Sequence, residues 1–247
     1  NKMYPDNRWY SHRYILNLYC GNKDKLVMSS IQHGFLTLSL KESFGKLSFP
    51  FSKYLVWNKN IANYLKKNGI KKYEITGSPF LYLHKISKKI KVETNTFLIF
   101  LPHSTHGTAA PHDNYNFAKY IKKKFNGKIT ICVFYKDLNE NLKKIFKKFN
   151  FKVVTCGLRY DNNYLYKLYK LLTSAENIVI TELGTPLFYS LYLNKRTYFI
   201  QDYNYKNPLE GYGGSKYLKL LNKYKNKHKF LFKNLPINKI VNKKKGK

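Results

Sequence analysis

Residues 95–107, NTFLIFLPHSTHG, decide how the chain folds. Phe97–Leu101 is an unbroken apolar run that stops at Pro102, with Gly107 closing the polar stretch that follows. That length and composition predict a strand covered on both faces. The run ends abruptly in hydrogen-bonding side chains, and two readings of that ending stand side by side. Strands end in turns, and turns use such residues. Alternatively the turn grips a ligand: Ser104 and Thr105 supply hydroxyls, Gly107 admits close backbone approach, and His103 and His106 donate to phosphate oxygens or act as acid or base. A His-x-x-His pair in a turn, with no cysteine or carboxylate beside it, does not predict a metal site.

Outward from this stretch the pattern repeats. KYLVWN, KKYEIT, KITICVFY, FKVVTCG, NIVITE and RTYFI read as strands; KNIANYLKKNGI, DNYNFAKYIKKKF, LNENLKKIFKKFN, NNYLYKLYKLLTSA and TPLFYSLYLN read as helices. Strands alternating with helices of this length argue for βαβ units and a parallel sheet. The expected fold is therefore α/β, a doubly wound, mostly parallel Rossmann-like sheet over residues 53–235. Residues 1–52 are expected to form a small N-terminal part. There, YPDNRWYSHRYILNLYCG reads as a turn then a helix, and KLVMSSIQHG as a strand ending in a His-Gly turn. Residues 236–247 read as a frayed basic tail.

The chain has 247 residues, 43% of them hydrophobic, enough for a real core. Its formal net charge is +33. Lysine dominates over arginine and is spread along helix faces, which predicts solvated faces rather than a specific nucleic-acid interface. The charge still favours acidic partners, including anionic lipid headgroups. Three cysteines, widely spaced and without a C-x-x-C, predict a reducing compartment with neither disulfide framework nor zinc site. With no leader pattern and no apolar run of membrane-spanning length, the expected location is cytoplasmic, with peripheral contact at the inner face of the cell membrane.

In open α/β sheets ligands bind beyond the carboxyl ends of strands, so the turns there carry the candidate sites. In ITELGTPLFYSLYL, Thr185 fits a helix N-cap and Pro186 the first helical position. A helix start is an anion site in waiting, with Gly184 and Thr185 at it and Glu182 placed for a ribose hydroxyl pair or for acid/base work. In VTCGLRYD, Gly157 makes a turn that presents Arg159 and Asp161, although Asp161 reads equally as an N-cap of the next helix. In SIQHGF, His33 is the candidate catalytic base, against the common alternative of a structural histidine. No P-loop, dinucleotide fingerprint or nucleophile elbow occurs.

In order along the chain, IQHG, YLVWNKNIANYLKKNGIKKYEITGSP, LPHSTHG and CGLRYD, then YLYKLYKLLTSAENIVITELGTPLFYSLYLNK, resemble bacterial surface-polysaccharide proteins of the GT-B glycosyltransferase type, over residues 30–200. The section from YLVW to TGSP resembles capsule glycosyltransferases and the polyol-phosphate transferases of teichoic acid synthesis, and HSTHG followed by TELGTPLFYSLYLNK resembles proteins of capsule and lipopolysaccharide loci. The resemblance implies a nucleotide-activated sugar as donor substrate and a glycan or lipid-linked acceptor, with no metal or other cofactor. It implies phosphates held at Thr185 and at His103–Thr105, and ribose or base held by Glu182 or the Gly157–Asp161 turn. It also implies a full acceptor domain, for which residues 1–52 are too short. A nucleotide-sugar epimerase, a polyol-phosphate transferase and a non-catalytic nucleotide- or glycan-binding module are the alternatives on the same fold.

Overall fold

The computed structural model describes residues 5–22, 29–34, 53–102, 104, 113–181, 184–200 and 237–240. They fall into two compact units: residues 1–90 with 157–170, and residues 91–156 with 171–247.

The larger unit is built on the opening stretch. Strand β4 (Glu93–Phe100) lies between β5 (Lys128–Cys132) and β7 (Ala175–Ile180). Adding β6 (Lys152–Val154), β8 (Arg196–Phe199) and β9 (Ile237–Ile240) completes a parallel six-stranded sheet in the order β6-β5-β4-β7-β8-β9. This is the strand order of doubly wound nucleotide-binding sheets, and it reverses direction between β4 and β7. Register runs Phe100 to Cys132 on one side and Phe100 to Ile180 on the other, so three carboxyl ends align.

Helices α4 (Asn114–Lys124) and α5 (Glu140–Lys148) form where the apolar spacing predicts. Each opens on a side-chain cap: Asp113 accepts from the Asn116 amide at 3.0 Å and Asn139 from the Leu142 amide at 2.8 Å. Their last turns carry Lys122, Lys123, Lys124, Lys147 and Lys148, which offset the partial negative charge of helix ends. Phe117, Ile121, Leu142 and Phe146 from these helices pack with Ile99, Leu101, Ile129 and Ile131 of the strands. Leu98 and Phe100, the alternate residues of β4, are buried too, outside that cluster, so the strand is covered on both faces.

The smaller unit has its own parallel sheet, β1 (Ser30–Ile31), β2 (Tyr54–Val56) and β3 (Tyr73–Ile75), in that order. Helix α2 (Lys59–Lys67) links β2 to β3, capped by Asn58 and packed through Ile61, Ala62 and Leu65 on Val56. A 3-10 segment (Pro5–Ser11) leads into α1 (His12–Tyr19), and α3 (Pro79–Ile86) follows β3. Helix α6 (Tyr164–Ser174) starts in this unit and ends in the other; α7 (Thr185–Tyr192) belongs to the larger one.

Four features depart from the sequence reading. The expected break at residues 52 and 53 gives way to a different division, because β2 and β3 pair with β1 instead of joining the main sheet. Within the expected frayed tail, residues 237–240 pair with β8; an edge strand bonds on one side only and tolerates lysine. Thr185 is not the N-cap of α7: Gly184, with extended backbone (φ −157°), takes that place and Thr185 is the first helical residue. Helix α3 is additional, started by Ser78 accepting from the Phe80 amide and by Pro79 in the first turn. Among the described residues no helix is long and apolar enough to cross a membrane.

Candidate functional site

Two places in the structure concentrate polar chemistry, one in each unit. The first is the switch point of the six-stranded sheet, where the turns after β4 and β7 leave adjacent strands. Thr181 Oγ1 donates to the Phe100 carbonyl at 2.7 Å and ties the two strand ends together. After β4 the Ser104 amide donates to Asp137 Oδ2 at 2.9 Å. After β7, Gly184 and Thr185 open α7, with Pro186 in the first turn, where its missing N–H costs no bond. Ser104, Gly184 and Thr185 thus follow the two strands between which the order reverses. His103, Thr105, His106, Gly107 and Glu182 lie outside the described residues. Asp137 was not among the residues the sequence singled out; as an isolated acid in a loop it carries no signal of the Ser104 contact.

The second place is in the smaller unit, where Trp9, His12, His33, Trp57, Arg159 and Tyr160 come together. Its framework is a set of side chains that replace backbone partners. Asn7 spans the end of β1, donating to the Ser29 carbonyl at 2.6 Å and accepting from the Ile31 amide at 2.9 Å. Gln32, fully buried, accepts from the Trp57 amide at 2.9 Å and donates to the Gly34 carbonyl at 2.7 Å. These four bonds satisfy backbone groups beside the two-residue strand, whose ladder to β2 runs through the Ser30 and Gln32 amides.

The segment entering α1 is bent. Tyr10 and Ser11 both have positive φ, 55° and 63°, a region that costs a bulky residue free energy. Three bonds hold it: the Tyr10 amide donates to the Arg159 carbonyl at 2.6 Å, Ser11 Oγ donates to the Asp161 carbonyl at 2.8 Å, and the Leu165 amide donates to Ser11 Oγ at 3.1 Å. The bend sets Trp9 against the 157–163 turn. Arg159 lies 4.4 Å from the centroid of the Trp9 ring and 4.9 Å from that of Tyr160. His33 meets Trp9 edge-on at 5.1 Å, and His12 meets Trp57 at 5.7 Å.

His12 is 2% exposed, and burial pushes its imidazole down to about 3, with the neighbouring His33 adding to the effect and a hydrogen bond to the Gln32 backbone opposing it. It is a neutral ring at any physiological pH. Arg159 Nε, Trp9 Nε1 and His12 Nδ1 are buried and have no hydrogen-bond partner among the described residues.

Gly157, Arg159 and Asp161, which the resemblance groups with the donor-binding turns, belong to the same unit as His33. Gly157 has φ 87°, and a Cβ there would come 3.1 Å from Asp161 Oδ2. Asp161 Oδ1 accepts from the Asn163 amide and Oδ2 pairs with Lys167 at 2.6 Å; that lysine, then the amide, holds its carboxyl below the usual carboxylate range. These bonds hold the turn that precedes α6, whose first residue is Tyr164. Trp9, His12 and Trp57 were not singled out from sequence, since an aromatic in an aromatic-rich chain gives no signal by itself.

Among the described residues no group of three His, Cys, Asp or Glu could hold a metal ion. Comparison with family models, curated proteins and solved structures returns no match.

Proposed function

We propose that the chain is a glycosyltransferase-like protein of GT-B type that takes a nucleotide-activated sugar as donor and a surface-glycan or lipid-linked acceptor, without a metal. One observation carries this reading: the polar turns bearing Ser104 and Gly184–Thr185 follow β4 and β7, the strands that flank the switch point of a six-stranded parallel sheet. Ligands of such sheets bind beyond the carboxyl ends of those strands.

In this reading the first turn of α7 and the 103–105 turn receive the donor's phosphates, because a helix start presents partial positive charge to an anion. Glu182 takes the ribose hydroxyls. Transfer joins an acceptor oxygen to the anomeric carbon as that carbon's bond to the phosphate oxygen breaks. The acceptor proton goes to a base, for which His33 is the candidate, and the nucleotide leaves with the negative charge, which fixed dipoles and cations stabilise. The net charge of +33 favours acidic substrates and peripheral contact with an anionic membrane surface.

The test is thermal unfolding with UDP, GDP, ADP, TDP, CDP and CMP in turn, without added metal. A ligand that binds only the folded chain raises its melting temperature. A rise with one nucleotide, lost in Thr185→Pro, is the expected result; no rise with any of them rejects the donor site. Mass spectrometry of products then separates the chemistries: a new glycosidic bond supports transfer. A new phosphodiester assigns a polyol-phosphate transferase, an isomerised free donor an epimerase, and binding without turnover a binding module.

A further inference from the structure

Trp9 and Arg159 stand 150 residues apart in the chain, yet their side chains stack at 4.4 Å. Each brings a buried N–H that no described residue accepts: Trp9 Nε1 and Arg159 Nε. Both groups can only donate. Arg159 Nη2 donates to Tyr160 Oη at 3.0 Å, and among the described residues no carboxylate pairs with the guanidinium. Asp161, two residues on, is already committed to Lys167 and the Asn163 amide.

A buried guanidinium Nε–H beside a second unmet donor is costly to build, because each buried polar group without a partner loses its hydration. Native structures resolve such groups with a ligand, an ion or water. Donors without acceptors select a group that accepts only, and a planar guanidinium fits the two oxygens of a carboxylate or phosphate. Tyr160, 46% exposed, and the Trp9 ring add flat apolar faces beside the charge, suited to the C–H faces of a pyranose.

We propose that Trp9 and Arg159, with His33 edge-on to the indole, form a recognition site for the acidic group, carboxylate or phosphate, of a sugar residue. That the ligand is a sugar rests on the transferase reading; that it is an oxyanion rests on the donors alone. The site gives the smaller unit a substrate class: an acidic glycan, or one bearing phosphate, would be held by its charge, and a neutral one would not.

The chain has two tryptophans, Trp9 and Trp57, so Trp57→Phe leaves Trp9 as the sole indole reporter. This variant is titrated with methyl glucuronide, glucose 6-phosphate and neutral methyl glucoside, and its emission is followed. The expected result is a saturable change with one or both acidic sugars, none with methyl glucoside, and affinity at least about tenfold weaker when Arg159→Gln is added. Response to the glucuronide alone assigns a carboxylate, and response to the sugar phosphate alone a phosphate. No saturable response, an equal response to the neutral sugar, or an undiminished one in Arg159→Gln overturns the proposal. Should Trp57→Phe lose its far-ultraviolet circular dichroism, calorimetric titration of the unsubstituted protein and of Arg159→Gln applies the same criteria. Nucleotide thermal shifts on the same preparation keep the two readings apart. Nucleotide binding without acidic-sugar binding sinks only this inference; acidic-sugar binding without a nucleotide shift leaves the anion site standing and removes the donor site.

Discussion

Acid should unfold this protein partly through one side chain, His12. Its ring is 2% exposed, and its proton affinity falls from the ordinary 6.5 to about 3, first through burial and second through His33. In the unfolded chain the same ring titrates near its ordinary value. Between the two values the unfolded state holds one more proton than the folded state, so stability must fall as the pH falls. His12's contribution is intact above pH 6.5 and is lost progressively toward pH 3. The slope is about 1.4 kcal/mol per pH unit, which amounts to roughly 2.5 kcal/mol between pH 7 and 4.5. Other groups titrate over the same range, so the measurement is a difference. Urea unfolding of the parent and of His12→Gln is compared at both pH values; glutamine does not titrate and can keep a donor to the Gln32 carbonyl. The variant starts less stable at pH 7, and the gap should close, or change sign, by about 2.5 kcal/mol at pH 4.5. A gap that stays constant to within about 0.5 kcal/mol would refute the burial argument.

Asn7→Ala should cost about 2–4 kcal/mol in denaturant unfolding, because it strands the Ser29 carbonyl and the Ile31 amide in a buried place; a loss under about 1 kcal/mol would mean other groups take over those bonds. Gly157→Ala should cost about 1–2 kcal/mol from its φ of 87°, and more because the new methyl would press on Asp161. Unchanged stability there would show that the turn has another conformation of equal energy. Of the three thiols, only Cys20 is exposed. Cys132 is raised well above its ordinary value by its hydrogen bond with Cys156 and by burial, so it offers no thiolate. A disulfide reagent at pH 8 should therefore modify one thiol quickly and two only as the chain unfolds, and Cys20→Ser should abolish the fast phase. A second fast thiol in that variant would contradict the buried pair.

The α/β class and the parallel main sheet were legible because their signals are local. Phe97–Leu101 needs no partner to announce a strand covered on both faces, and Asn58, Asp113 and Asn139 cap helices within three residues of themselves. The turns after β4 and β7 were legible for the same reason, and their adjacency follows from a strand order that alternation alone leaves open. What sequence could not supply is pairing across the chain. It does not say that β2 and β3 leave the main sheet for a two-residue β1, or that residues 237–240 close the far edge. Nor does it join Trp9 to Arg159, or Ser11 to Asp161 and Leu165. Periodicity and caps are written over a few residues, where the chain's own geometry enforces them. The Trp9–Arg159 contact, and the left-handed Tyr10 and Ser11 that permit it, exist only because tertiary bonds offset their cost.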